Sequence, residues 1–101
     1  MSMAIALITP ARVKRSDPFV ASVDVRGARP GAEVDVWLEH LRGPAPRASI
    51  PPKAAQVGPG GTASVSFLVA IPSAGYALLL ATATEGGGRS AHPDAEIVEV
   101  L

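Results

Sequence analysis

Three side chains of this sequence could take part in acid–base or metal chemistry: His40, His92 and Asp94. His92 and Asp94 flank Pro93 in a predicted loop, whereas His40 ends a predicted strand. The two histidines can share a site only if these two ends of the fold coincide, and no spacing typical of a metal-binding motif joins them. We therefore predict two exposed histidines, one turn aspartate and no metal site.

Other catalytic and cofactor-binding patterns are missing from the sequence. The chain has no cysteine, which excludes disulfides, thiolate chemistry and cysteine-ligated metals. No serine stands in the Gly-x-Ser-x-Gly context of a nucleophile elbow. The glycine clusters at 58–61 and 86–88 are not followed by the Lys-Ser or Lys-Thr of a phosphate-binding loop, so we predict turns there. The sequence thus predicts a non-enzymatic protein with no catalytic residue and no cofactor.

One face of a predicted strand combines carboxylates with a tryptophan: Glu33, Asp35, Trp37 and Glu39. No apolar pocket is predicted there that would raise the pKa of a carboxyl group, so a solvated face is the simplest interpretation. Trp37 is then either covered by arginine stems or by the crossover loop, or it is an interface anchor. The second alternative makes these four residues a possible interaction surface.

Composition limits the partners that the chain can bind. The sequence has 101 residues, 48% of them hydrophobic, which suits a single domain over residues 1–101. Nine basic and nine acidic residues give a net charge of zero, so the chain lacks the basic surplus typical of binding to nucleic acid or anionic membranes. We predict that the partner is another protein or a second copy of the chain, because net neutrality also favours self-association.

No segment is predicted to enter a membrane. Apolar runs stay far short of about 20 residues, and no basic residue precedes the first one, so it does not resemble a signal peptide. We expect a cytoplasmic location if the sequence is a whole chain, and a surface or secreted location if it is an excised domain.

The segment 75–88 is predicted to form the central strand of a sheet, followed by a hairpin loop, because both of its faces are apolar. Even-numbered residues from Tyr76 to Thr82 point one way, and odd-numbered residues from Ala77 to Ala83 point the other. We expect this strand to be covered on both sides. Tyr76 is predicted to pack inward as a tyrosine corner.

Alternation of apolar and polar residues predicts further strands at 19–26, 32–41, 62–71 and 95–101, with an edge strand at 4–8 that breaks or changes sheet at Pro10. Pro30 and Gly31 predict a type II turn. The prolines between Arg42 and Pro59 predict an extended crossover that can include a short edge strand. The predicted inward-facing set is Phe19, Ala21, Val23, Val25, Val34, Val36, Leu38, Val65, Phe67, Val69, Ile71, Tyr76, Leu78 and Leu80.

Several of these segments resemble bacterial immunoglobulin-like domains. Val25-Arg26-Gly27 with 30–36 is similar to their B–C region, 61–78 with its Ile71-Pro72 step to their E–F region, and 82–101 to their F–G hairpin. The resemblance covers Phe19 to Leu101. It departs from true immunoglobulin domains in lacking the cysteine pair and in the phase of Trp37, which falls with the acidic residues.

Together the spacing and the resemblance predict an all-β protein, an Ig-like β-sandwich of about seven antiparallel strands in two sheets. The resemblance implies a non-catalytic protein-interaction or spacer module. The alternative is a carbohydrate-binding β-sandwich, for which Trp37 is the one exposed aromatic side chain that the sequence predicts.

Overall fold

The structure, a computed structural model, describes residues 3–42, 50–86 and 88–101. Within these residues the chain forms eight strands and no helix, so none is long and apolar enough to cross a membrane. The strands are β1 (Ala4–Ile8), β2 (Arg12–Val13), β3 (Phe19–Arg26), β4 (Glu33–Arg42), β5 (Lys53–Gln56), β6 (Ala63–Val69), β7 (Gly75–Glu85) and β8 (Asp94–Val100).

The strands build two sheets that pack face to face. One sheet has the order β1-β3-β6 and the other β2-β8-β7-β4-β5. All their pairings are antiparallel except the two-residue contact of β2 with β8, which is parallel. The predicted all-β sandwich of two sheets is confirmed.

On three strands the strict alternation of apolar and polar residues determines which side chains are buried in the core. In β3 the side chains of Phe19, Ala21, Val23 and Val25 are buried, while the residues between them reach the surface. The predicted inward residues of β4 and β6 are buried in the same way, as is Ile71. Burial of these branched and aromatic side chains between the sheets is the main force that holds the sandwich together.

The central strand is β7, and its predicted phase is wrong. It lies in the middle of the five-stranded sheet between β8 and β4, as expected. However, the odd-numbered residues from Ala77 to Ala83 are buried, whereas Leu78 and Leu80 are half-buried and Tyr76 is 67% exposed. The strand is therefore not covered on both sides by described residues, and Tyr76 does not form an inward tyrosine corner.

The reason for this error lies in the neighbouring strands. Directly opposite residues of paired strands point to the same face. Val36 of β4 stands opposite Ala83, and Val98 of β8 stands opposite Ala77. Because these valines are buried, the alanines must face the core, and Tyr76 must face outward.

The chain changes sheets where Pro10 predicts it. β1 pairs with β3, whereas β2, four residues later, pairs with β8 in the other sheet. The short edge strand expected within the crossover is also present as β5, which pairs with the first half of β4. Residues 43–49 of that crossover and Gly87 of the β7–β8 hairpin lie outside the described residues.

Two turns rely on glycine. Gly31 has a φ of +80°, and the amide of Ala32 donates to the carbonyl oxygen of Arg29 at 3.0 Å, which confirms the type II turn after Pro30. Gly61 has a φ of +76°, and a Cβ atom added there would lie 2.9 Å from the carbonyl oxygen of Ala28. Gly61 is therefore required both by its backbone conformation and by close packing.

We expect Gly61→Ala to lower the free energy of unfolding by about 2 kcal/mol, since it adds left-handed strain and a clash with fixed backbone. Gly31→Ala is the matched control, because its Cβ would meet nothing within 4 Å; it should cost about 1 kcal/mol. Chemical denaturation of the purified variants measures both values. Equal costs would show that the contact with Ala28 does not matter.

Candidate functional site

The histidines do not come together. His40 is 4% exposed and lies on the inner face of β4, opposite Leu79, so the prediction that it is exposed is wrong. His92 is exposed, as predicted. The amide of its neighbour Ala91 donates a hydrogen bond to the carbonyl oxygen of Ala83. Ala83 lies four residues, or about 13 Å, along β7 from Leu79, the residue opposite His40.

Asp94 has a structural position at the edge of the sandwich. Its Oδ2 atom accepts a hydrogen bond from the backbone N–H of Leu7 at 2.8 Å. This contact links β8 to β1 and satisfies an amide of an edge strand that would otherwise need water. Among the described residues, no group of three or more histidine or acidic side chains is placed to hold a metal ion.

Glu85, at the end of β7, is a strongly perturbed ionisable group. Its side chain is 1% exposed, and its Oε2 atom accepts hydrogen bonds from Nη2 of Arg89 at 2.8 Å and from the backbone N–H of Arg29 at 2.7 Å. Nε of Arg89 donates to Oε1 at 3.1 Å. Hydrogen bonding to Arg89, then to the Arg29 amide, lowers the pKa of Glu85 to about 2. The same pair raises the pKa of Arg89.

This ion pair joins two loops at one end of the sandwich. Arg89 also donates to the carbonyl oxygen of Gly27 at 3.2 Å, which lies in the turn between β3 and β4. Gly86 donates its amide to the carbonyl oxygen of Glu33 at 2.9 Å. The β7–β8 hairpin thereby fixes the first residues of β4. We infer that Glu85 holds Arg89, and with it the hairpin, in this position.

The sequence reasoning missed this pair, although the pattern contained two indications of it. Glu85 continues the buried odd-numbered phase of β7, where a lone carboxylate needs a partner. Arg89 follows four residues later, within reach across a tight hairpin. The amide of Arg29 is 56 residues away in the chain, and no sequence pattern reveals it.

The predicted interaction residues share the solvent-facing side of β4. Trp37 lies in phase with Glu33, Asp35 and Glu39, opposite in direction to the buried valines of the strand. Glu33 and Glu39 are exposed, while Asp35 and Trp37 are half-buried. We call the three carboxylates the acidic margin. Trp37 is located just beyond the last β5 pair, which is Val36 with Lys53.

Beside this margin the outer face of the five-stranded sheet carries a cluster of large apolar side chains. Leu78 and Ile97 are directly opposite each other on β7 and β8, and Leu80 and Tyr76 flank Leu78 on the same face. Ile97 is 61% exposed. Together with Trp37 these four side chains form what we call the apolar band. Sequence reasoning missed four of the five members because it assigned β7 to the wrong phase and did not place Ile97.

A third feature borders the apolar band on its other side. Arg12 of β2 makes an ion pair with Glu99 of β8 at 2.8 Å, on the outer face. Lys14 and Arg15 follow, and all three basic side chains are exposed. We call Arg12, Lys14 and Arg15 the basic corner. The outer face thus carries the acidic margin on β4, where it flanks Trp37, the rest of the apolar band on β7 and β8, and the basic corner beside β2.

Comparisons with known proteins support the fold. No family model and no curated protein matched the sequence. A superoxide reductase (neelaredoxin) from Ignicoccus hospitalis has a similar structure, with a TM-score of 0.67, 16% identity and coverage of 97% of this chain and 80% of that one.

Two further solved structures are also similar. A CARDB domain from Pyrococcus furiosus, solved in complex with di-metal ions, gives a TM-score of 0.64 at 15% identity over 99% of this chain and 88% of that one. A cohesin module from a Clostridium perfringens family 33 glycoside hydrolase gives 0.60 at 12% over 98% and 96%. The fold is therefore an Ig-like β-sandwich; at these identities the likeness extends to the fold alone.

Glu85→Gln tests the hairpin ion pair by pH. The pKa of Glu85 falls from its ordinary 4.5 to about 2 on folding, so the carboxylate stabilises the fold fully above pH 4.5, and this contribution is lost as pH drops toward 2. We expect the variant to melt at a lower temperature than the parent at pH 7, with the difference shrinking between pH 4.5 and 2.

Glu39→Gln is the control for this experiment, because it removes one exposed carboxylate of the outer face without touching the hairpin. Its stability should stay within about 0.5 kcal/mol of the parent. Thermal melting from pH 7 to pH 2 measures both variants. A constant difference between the Glu85→Gln variant and the parent over that range would contradict the assignment.

Proposed function

We propose that this protein is a non-catalytic interaction module of the bacterial Ig-like type and that it binds another protein through the outer face of its five-stranded sheet. The observation that carries the proposal is the apolar band. Single exposed apolar residues are normal on protein surfaces, but contiguous ones mark binding sites. Tyr76 and Ile97, both more than 60% exposed, lie in this band with three other large apolar side chains.

The composition of the face fits a protein partner. Protein interfaces have an apolar centre with aromatic anchors and a polar rim. Trp37 and Tyr76 supply the aromatic rings, and the acidic margin supplies part of the rim. A spacer module, the other form of this function, needs no such surface, so a test of the outer face separates the two.

Catalysis receives less support than binding. His40 and Glu85 are buried, and Glu85 is paired with Arg89. His92 is exposed but lies apart from His40, so the two histidines do not form an acid–base pair. The similar superoxide reductase shares only the fold at 16% identity, which does not transfer an activity. We therefore keep the proposal of a non-enzymatic protein.

A carbohydrate-binding module is the second candidate, and one observation favours it. The exposed Tyr76 adds a second aromatic side chain to the face that carries Trp37. The rings are separated by six residues of β7, about 20 Å, with Leu78 and Leu80 between them. Sugar hydroxyls need polar partners there, and leucines supply none, so a protein surface fits the face better.

A binding experiment with matched surface variants tests the proposal. We expect Ile97→Lys and Trp37→Ala to abolish capture of the protein partner from cells that express the chain, because both interrupt the apolar band. Leu68→Lys is the control: Leu68 is 70% exposed on the other sheet, so it should retain the partner. Ile97→Lys and Leu68→Lys should unfold within about 1 kcal/mol of the parent.

The outcome that contradicts the proposal is equal capture by the parent and both outer-face variants. A loss of Trp37 fluorescence or a shift in its maximum on titration with soluble oligosaccharides would favour the carbohydrate candidate instead. If only the Trp37→Ala variant unfolds, Trp37 stabilises the fold, and capture by the Ile97→Lys variant decides whether the outer face binds the partner.

A further inference from the structure

We infer that the partner on the outer face is a second copy of this chain, arranged as a two-fold symmetric dimer in which the basic corner of each copy meets the acidic margin of the other. This inference rests on the proposed function, because it names the occupant of the same face. It draws on three observations: the position of the two charged groups, the apolar band between them, and the size of the face.

The charged groups lie at diagonally opposite corners. Arg12 pairs with Glu99, which stands opposite Tyr76 near the start of β7. The acidic margin flanks the other half of β7, where Asp35 is opposite Thr84. Arg12 and Asp35 are therefore separated by about three strand spacings, or 14 Å, across the sheet and by eight residues, or about 26 Å, along it.

This diagonal arrangement makes the face self-complementary. A rotation of 180° about an axis in the plane of the interface, oblique to the strands, places the basic corner of one copy over the acidic margin of the other. The same rotation places the two apolar bands against each other. Each copy then places its basic corner over the partner's acidic margin, and the contact occurs twice, as an isologous interface requires. Opposite charges across the interface select this orientation and speed association. The net charge of zero leaves no overall repulsion between copies.

The size of the face sets the expected strength. The molecule measures 40 × 20 × 19 Å, so a complete broad face offers about 800 Å², which is the share of one partner in an interface of standard size. The apolar band covers only part of it. We therefore expect a weak, reversible dimer with a dissociation constant in the micromolar range or above, roughly 10⁻⁶ to 10⁻³ M.

Sedimentation velocity of the intact chain is the first test. Between about 1 μM and about 1 mM protein, the mean sedimentation coefficient should rise from the monomer to the dimer value. The rise should weaken when salt increases from about 0.1 M to about 1 M, because the screening length falls from about 10 Å to about 3 Å. A chain that stays monomeric throughout overturns the inference and leaves a different protein, or a segment of this chain, on the face.

Charge exchange is the second and sharper test. The doubly substituted variant Asp35→Lys, Glu39→Lys carries positive charge at both corners. The variant Arg12→Glu, Lys14→Glu carries negative charge at both. Each variant alone should dissociate at concentrations where the parent is dimeric, and an equimolar mixture should restore dimers at least as tight as the parent's. Dimers of either variant alone at parental strength, or no dimers in the mixture, would refute the arrangement.

A control and a second readout complete the experiment. The variant Asp24→Lys, Arg26→Glu exchanges charges on the outer face of the three-stranded sheet and should dimerise like the parent; weaker dimers would also refute the arrangement. The partner-capture assay distinguishes failure here from failure of the proposed function. If the parent is monomeric but Ile97→Lys still loses a captured protein, the second copy is wrong as the occupant while the binding face stands.

Discussion

The pairing of β7 with β4 and β8 is the constraint on which the rest of the structure depends. Side chains alternate along a strand, so a shift of one residue in either pairing would exchange the buried and exposed faces of β7. The buried valines of β4 and β8 prevent that shift, because they can reach the core only in the observed register. This choice buries Ala77, Ala81 and Ala83 and leaves Tyr76 and its outward neighbours on the surface.

Sequence reasoning succeeded where one strand contained all the necessary information. β3 and β4 alternate strictly, so their buried faces, and the position of Trp37 beside the carboxylates, follow from the sequence. β7 is apolar on both faces, so its own pattern permits either phase. The buried face consists mainly of alanines, which have little volume, and resemblance to a tyrosine-corner domain favoured the wrong side. The number of domains and the interaction residues remain predictions.

Two ion pairs lie at opposite ends of the five-stranded sheet, and they contribute to stability in different ways. At the hairpin end the Glu85 carboxylate is buried, while the Arg89 side chain is 42% exposed. The low pKa of Glu85, about 2, reflects hydrogen bonds that hold the carboxylate ionised. Arg12 with Glu99 is a surface pair, and such pairs contribute little to stability. The Glu85–Arg89 pair therefore fixes the start of β4. Arg12 remains available to other carboxylates, because only its weak contact with Glu99 is lost.

Stability of the sheet alone does not account for the apolar band. Cross-strand pairs of large apolar side chains contribute about 0.2–1 kcal/mol, and Leu78 opposite Ile97 is such a pair. The two aromatic residues differ, because Tyr76 stands opposite Glu99 and Trp37 stands opposite Thr82. Among the cross-strand pairs that the structure describes, neither ring has a large apolar residue directly across from it. Threonine would suit both outward positions as a strand residue. The interaction surface proposed above would account for large rings at these two places.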